Sequence, residues 1–370
     1  MGEYEISVIG ARAFASPKFA YVGCMTHGTH THHAYAHGKG ISVYRIDPQS
    51  GAWTLVEVCE ATPNPGFLVF DQKQRFLYTV HGTASDVSAF SIDQQTGKLA
   101  FLNKQQTRGD NSVHLTIDPT NRYIVLANGP GIVVYPINAD GSLAPSSHNF
   151  VPSGKPGPYL KKQKAHPHHV VFDPTGRFFV ATDTGFDQIH IYRLDTASGK
   201  LVANDFPFVK GRSGSCPRHI AFHPNTRFAY VVNELDSTAT AYGWNGDRGE
   251  LKPIQILPLT PPTFTDNNEG SEVMVAPSGN FVYIANRGHD SIAIFAVDPS
   301  NGMLNPIGWE PTQGKTPRFF TLDQSGNMLC AANVVGDTIV IFNVDSNTGK
   351  LTPTGQIVET ASPSCIVFSY

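Results

Sequence analysis

The strongest constraint on this chain of 370 residues is that it repeats itself. A turn dipeptide recurs as Asp71-Gln72, Asp118-Pro119, Asp173-Pro174, His223-Pro224, Ala276-Pro277 and Asp323-Gln324, at intervals of 47 to 55 residues. A short apolar run precedes each dipeptide (LVF, LTI, VVF, IAF, VMV, FTL), and a second run such as Phe228–Glu234 follows it. A third run comes next, as in Ser291–Asp298, and a fourth follows a glycine-bearing turn, as at 95–99, 197–201 and 347–351. Four short runs per copy, at a period of this size, predict the blades of a β-propeller.

The chain ends set the blade count. Phe19–Met25 matches a second strand with no first strand before it, and Ser362–Phe368 supplies a first strand with nothing after it. The expected fold is all-β, one domain over 1–370: a seven-bladed propeller of four-stranded antiparallel blades. Its first blade is shared between 17–58 and 362–370, so the C-terminal strand joins the N-terminal blade. Closure of this kind removes the strand edges that would otherwise recruit other chains.

Composition narrows the partners. Lys+Arg 27 against Asp+Glu 30 gives a formal charge of -3, which offers no basic surface for nucleic acid or anionic lipid. A small molecule is the expected partner, bound by a monomer or weak homo-oligomer. The first twenty residues lack the basic-then-apolar pattern of a secretory signal, and no run approaches the ~18 apolar residues of a bilayer span. The five cysteines are odd in number and widely separated, which predicts buried, reduced thiols and a cytoplasmic location.

Propeller geometry then says where a site must be. Residues that open each first strand and residues that end each second strand converge on one mouth of the central channel. The first set reads Gly66, Val113, His168, Arg218, Ser271, Arg318 and Ser364, with His169 and His219 next along. The second reads His81, Asn128, Asp183, Asn233, Glu234, Asn286 and Arg287. Three arginines and several histidines beside the carboxylate of Glu234 predict a positively charged well that binds a small anion. Arginine forks can also stabilise a developing oxyanion while Glu or His moves a proton.

These residues carry a family resemblance. Cys216–Pro224 (CPRHIAFHP) with Phe228–Leu235 (FAYVVNEL), Ala285–Ile292 (ANRGHDSI), Thr316-Pro317-Arg318 and His166-Pro167-His168-His169 resemble the bacterial 6-phosphogluconolactonases of the propeller type. The resemblance spans all seven blades. It is similar also to the fungal 3-carboxy-cis,cis-muconate lactonising enzymes, which catalyse a cycloisomerisation. It implies a lactonase acting on a small anionic sugar lactone without cofactor, and it implies His168, Arg218, Glu234 and Arg287 as the catalytic cluster. His169, His219, Asn233, Arg318 and His289 are the expected substrate-binding residues.

Other features compete for attention. His27, His30, His32, His33 and His37 crowd one loop, a pattern that suits a metal, yet no carboxylate accompanies them and only Cys24 is near, so no metal is expected. The insertion at 151–165 brings Lys161, Lys162 and Lys164 close to His166, and Asp266–Glu269 forms a polar loop before another first strand. A cycloisomerase is the alternative enzyme. A non-catalytic propeller would instead place aromatic and apolar residues at the mouth, and an oxidoreductase propeller that holds a quinone finds no support, since the sequence lacks a C-x-x-C-H haem motif.

Overall fold

The computed structural model describes residues 15–28, 36–60, 63–82, 84–158 and 164–370. Among them, 28 strands form seven four-stranded antiparallel sheets. Blades 2 to 7 use consecutive strands and occupy 65–106, 110–150, 167–210, 217–258, 269–311 and 317–359. Blade 1 is composite: Pro363–Ser369 is its innermost strand and pairs with Phe19–Cys24, Tyr21 lying opposite Val367, before Ile41–Ile46 and Trp53–Cys59 complete it. Innermost strands touch in a closed cycle, blade 7 meeting blade 1 and blade 1 meeting blade 2. The closure read from the chain ends is the one observed.

The recurrent residues of the repeat each have a mechanical reason. The Asp that opens the dipeptide turns its Oδ1 to backbone N–H groups four and five residues on: Asp71 accepts from Arg75 and Phe76, and Asp118 from Arg122 and Tyr123. This stabilises the turn between the first two strands. The glycine between the third and fourth strands sits at positive φ, as at Gly302 (φ 76), where a Cβ would also lie 2.3 Å from the Phe228 ring of the preceding blade. Its carbonyl accepts the hydroxyl of Tyr230, and Tyr21, Tyr78 and Tyr283 make the same inter-blade bond to Gly97, Gly141 and Gly349.

Second strands are covered on both faces, so they read as continuous apolar runs; Phe281–Arg287 is buried throughout. Neighbouring blades share these residues in common clusters, for instance Phe281, Tyr283 and Ile294 of blade 6 with Phe320, Leu329 and Phe342 of blade 7. Each large apolar side chain so buried contributes roughly 1.5–3 kcal/mol before chain entropy is charged against it. Stiff blade contacts are what hold the inner strand ends at fixed positions.

Candidate active site

A β-bulge recurs at the start of the innermost strands and builds the site. Register slips between Pro65 and Phe67, Asp110 and His114, Pro167 and His169, Pro217 and His219, Gly270 and Val273, and Pro317 and Phe319, with a matching slip opposite Ser364 in blade 1. Proline fits the first position because the ladder there needs no N–H from it. Each slip lets two consecutive side chains turn toward the axis, which regular strand alternation forbids. Aspartates in the turn after the second strand pin this start from the neighbouring blade: Asp187, Asp290 and Asp337 each accept the N–H of the residue preceding the proline, Cys216, Thr316 and Ser362, at 2.8 Å.

Two tiers of side chains result. The tier nearer the mouth holds Gly66, Val113, His168, Arg218, Ser271, Arg318 and Ser364, one from each blade. Arg218 is only 2% exposed; its Nη1 donates to the Ser271 carbonyl, and its Nε has no hydrogen-bond partner among the described residues. Burial first, then the charges of Arg318 and Arg287, push its guanidinium down to about 9, still protonated at neutral pH. Arg318 is partly buried, and burial with Arg287 nearby brings it down to about 10. It makes no hydrogen bond or ion pair with any described residue.

Arg287 and Glu234, expected to share one face, are in contact. Arg287 Nη2 lies 2.9 Å from Glu234 Oε1, 3.2 Å from Glu269 Oε2 and 3.1 Å from the Gly270 carbonyl. Glu269 takes part because it stands opposite Arg287 in the ladder of blade 6. With Glu272 below, three acidic side chains face three arginines, so the well is less positive than the expected residues alone suggest.

The deeper tier is Phe67, His114, His169, His219, Glu272, Phe319 and Cys365, the next residue along each innermost strand. Ring centroids are 3.8 Å apart for Phe67 and His114, 4.0 Å for His114 and His169, and 4.4 Å for the stacked His169 and His219. Phe67 reaches across to Phe319 at 5.7 Å and His219 at 6.5 Å. The well therefore has a packed floor. Burial first, with Arg218 adding to it in each case, holds all three imidazoles well below their ordinary range, so they are neutral. Glu272, 4% exposed, meets His219 Nδ1 at 3.0 Å, and burial raises its carboxyl to about 7.

The remaining expected residues divide. His168 is buried in the mouth tier, its ring 5.2 Å from His219. Asn233 is turned into its blade and donates its amide hydrogens to Thr238 and Thr240, both at 2.9 Å, as Asn286 donates to the Leu259 carbonyl and His81 pairs with Ser88. That position is structural around the ring, because strand alternation points it away from the axis while its neighbour Glu234 faces it. His289 sits on the rim, bonded through Nδ1 to Ser291 at 2.6 Å with its ring edge-on to Phe264. Lys164 pairs with Asp110 at 3.7 Å beside His166. His30, His32, His33, Lys161 and Lys162 lie outside the described residues; His37 contacts Asp337 at 3.3 Å. No group of metal-ligating side chains is assembled among the described residues. An open groove between Asp337 and Ala361 on the outer part of blade 7 has Asp337 and Glu359 as its charged walls, which does not suit an anion.

Residues 19–368 match the family described as Lactonase, 7-bladed beta-propeller. The chain belongs to this lactonase family. A 6-phosphogluconolactonase of Bacillus subtilis (strain 168) is 34% identical over 308 residues, 82% of this chain and 84% of that protein. One from Formosa agariphila is 31% identical over 298 residues, 78% of this chain and 83% of the other. Among solved structures, the periplasmic gluconolactonase of Pseudomonas aeruginosa superposes with a TM-score of 0.87 at 30% identity, covering 96% of this lactonase and 99% of that chain.

Three groups at this candidate site carry no direct sequence signal. Glu269 was visible only as part of a polar loop, whereas Glu272 and His114 carried no motif at all. Aligning the residue four before each turn dipeptide puts Phe67, His114, His169, His219, Glu272 and Phe319 in one column, and that column is the signal.

Proposed function

We propose that this chain hydrolyses an anionic sugar lactone, of which 6-phosphogluconolactone is the first to test, in the well above the histidine floor. The observation that carries the proposal is Arg318, a guanidinium in the mouth tier with no partner among the described residues, beside the linked Glu234 and Arg287. A partly buried cation left without a partner is costly unless an anion visits. Arg318 then holds the remote anionic group, with Lys164 on the rim as a second cation.

The lactone carbonyl rests against Arg218 and Arg287. Glu234 accepts a proton from water as its oxygen bonds to the carbonyl carbon, His168 being the other group able to take that role. The tetrahedral oxyanion is stabilised by the two guanidiniums. Its collapse breaks the bond from carbon to ring oxygen, and that oxygen takes the proton back from the acid just formed, leaving an open-chain hydroxy acid.

The two carboxylates gathered on Arg287, Glu234 and Glu269, favour this reading over lactonisation of a muconate. A sugar lactone offers hydroxyl donors to Glu234 and Glu269, while a substrate bearing several carboxylates would be repelled by them. The family's reach into the periplasm, seen in the Pseudomonas relative, leaves location to be argued from the chain; five buried cysteines outside any disulfide support a cytoplasmic one. A monomer or weak homo-oligomer without nucleic-acid or membrane partners completes the proposal.

The test compares turnover of 6-phosphogluconolactone, an unphosphorylated sugar lactone and carboxymuconate by the wild type and by Glu234→Gln. The phosphorylated lactone should be preferred, and the variant should lose ~10²- to 10⁴-fold in kcat. Equal activity of the variant removes Glu234 from the reaction, and preference for carboxymuconate reverses the assignment.

A further inference from the structure

We propose that Glu272 is a positioning residue: it fixes the His219 ring so that Nε2 is a bare hydrogen-bond acceptor at the floor of the well, where it receives an O–H of the reacting complex. That O–H belongs to the attacking water or to a lactone hydroxyl, an assignment that rests on the lactonase reading above; the state of the ring rests on geometry alone.

Groups that can only donate fix the neighbouring rings. His114 and His169 each place Nδ1 3.5 Å from a backbone N–H of the next blade, Val170 and Ile220 respectively. A backbone N–H meets a lone pair, so both neutral rings carry their proton on Nε2. In the following blade the pattern breaks, because the next residue in the column is Glu272 rather than histidine. Its Oε1 accepts the Val273 N–H at 3.0 Å and faces His219 Nδ1 at 3.0 Å. A carboxylate oxygen in that contact requires the hydrogen on Nδ1, which leaves Nε2 with its lone pair. His219 thus has the reverse tautomer of His169, the ring stacked on it with an interplanar angle of 27°.

The charged surroundings keep the ring in this state. Arg218, Arg318, Arg287 and Glu234 act on it from the mouth tier, His169 and Glu272 flank it, and His168 and His114 stand 5.2 and 5.6 Å away. The arginines disfavour a second proton, so His219 is an acceptor at neutral pH. The fold does not demand a carboxylate at this place, because Phe67 and Phe319 occupy the same column in blades 2 and 7. A carboxylate buried where a phenyl ring fits equally well is explained by the ring it orients.

Two-bond 1H–15N correlation spectra of histidine-labelled, ligand-free protein at pH 8 read the tautomers directly, with His219→Gln assigning the signal. The expected spectrum has His219 protonated on Nδ1 and His169 on Nε2. Glu272→Leu should invert the His219 tautomer and lower kcat/KM ~10- to 100-fold, and Glu272→Gln, which keeps an oxygen at that point, should restore most of both. A loss confined to kcat identifies water as the donor, and a rise in KM a substrate hydroxyl. A wild-type spectrum with the proton on His219 Nε2 overturns the proposal, as does Glu272→Leu with tautomer, kcat and KM unchanged. The wild-type spectrum decides even where the leucine variant does not fold, and it does so independently of whether any lactone is hydrolysed.

Discussion

Replacing Glu272 by glutamine should stabilise the protein, and only above mildly acidic pH. Burial raises the Glu272 carboxyl from 4.5 to about 7, the cationic arginines and the Val273 N–H offsetting part of the effect. Because the folded value is the higher one, the folded state binds the proton more tightly than the unfolded chain does. Stability from this group is fully present below pH 4.5 and is lost as pH rises toward about 7, as the carboxylate is forced to ionise inside the ring. At 1.36 kcal/mol per unit the loss amounts to at most about 3 kcal/mol above pH 8. Glutamine keeps the acceptor for Val273 and His219 but does not ionise. Over a chain of this length, with an unfolding entropy of ~2.1 cal/mol/K per residue, about 3 kcal/mol corresponds to a rise of about 4 °C in Tm. Urea or thermal unfolding of wild type and Glu272→Gln at pH 4.5 and pH 8 measures the difference: near zero at the lower pH, in favour of the variant at the higher. A difference independent of pH, or a variant weaker at pH 8, would refute the reasoning and show that Arg218 and Arg318 hold the carboxylate more strongly than burial penalises it.

Other outcomes follow from the same geometry. Arg318→Gln should raise KM for 6-phosphogluconolactone by a factor set by roughly 1.5–3 kcal/mol of charge-assisted hydrogen bonding, and leave an unphosphorylated lactone nearly unaffected; equal effects on both substrates would place the anion elsewhere. Arg287→Met should lower kcat by about 10²–10³, the loss typical of one oxyanion donor, measured on the same substrates. Removing 362–370 exposes the whole edge of Phe19–Cys24, so the shortened chain should aggregate on size-exclusion chromatography, whereas a folded monomer with unchanged melting would contradict closure through that strand. None of the five buried thiols should react with a chromogenic disulfide reagent in the native protein, and all five should react in denaturant.

The fold was legible because its signal is periodic. One dipeptide, one apolar run and one glycine turn recur often enough to count blades, and the unmatched strands at 19–25 and 362–368 specify the closure. The neighbourhood of Arg218, Glu234 and Arg287 was legible for the same reason, since equivalent positions in a ring must converge. The details were hidden where local geometry departs from the regular strand. Alternation would send Arg218 and His219 to opposite faces; the bulge after Pro217 brings both to the axis. Alternation does hold one strand over, where Glu234 faces the well and Asn233 does not. The two further glutamates depended on pairings that sequence spacing alone does not reveal, Glu269 on its cross-strand place opposite Arg287 and Glu272 on the ring contributed by the preceding blade. Their omission is what made the well look more cationic than it is.

The central claim is that seven bulged strand ends assemble an anion-holding hydrolytic site above a sealed floor. A crystal structure with 6-phosphogluconate, the product of the proposed reaction, tests it most directly. The product should lie on the mouth side of the His114, His169 and His219 stack, with its phosphate at Arg318 and its new carboxylate against Arg218 and Arg287. A product bound in the groove beside Asp337, on the opposite face of the ring, or nowhere at millimolar concentration would contradict the account.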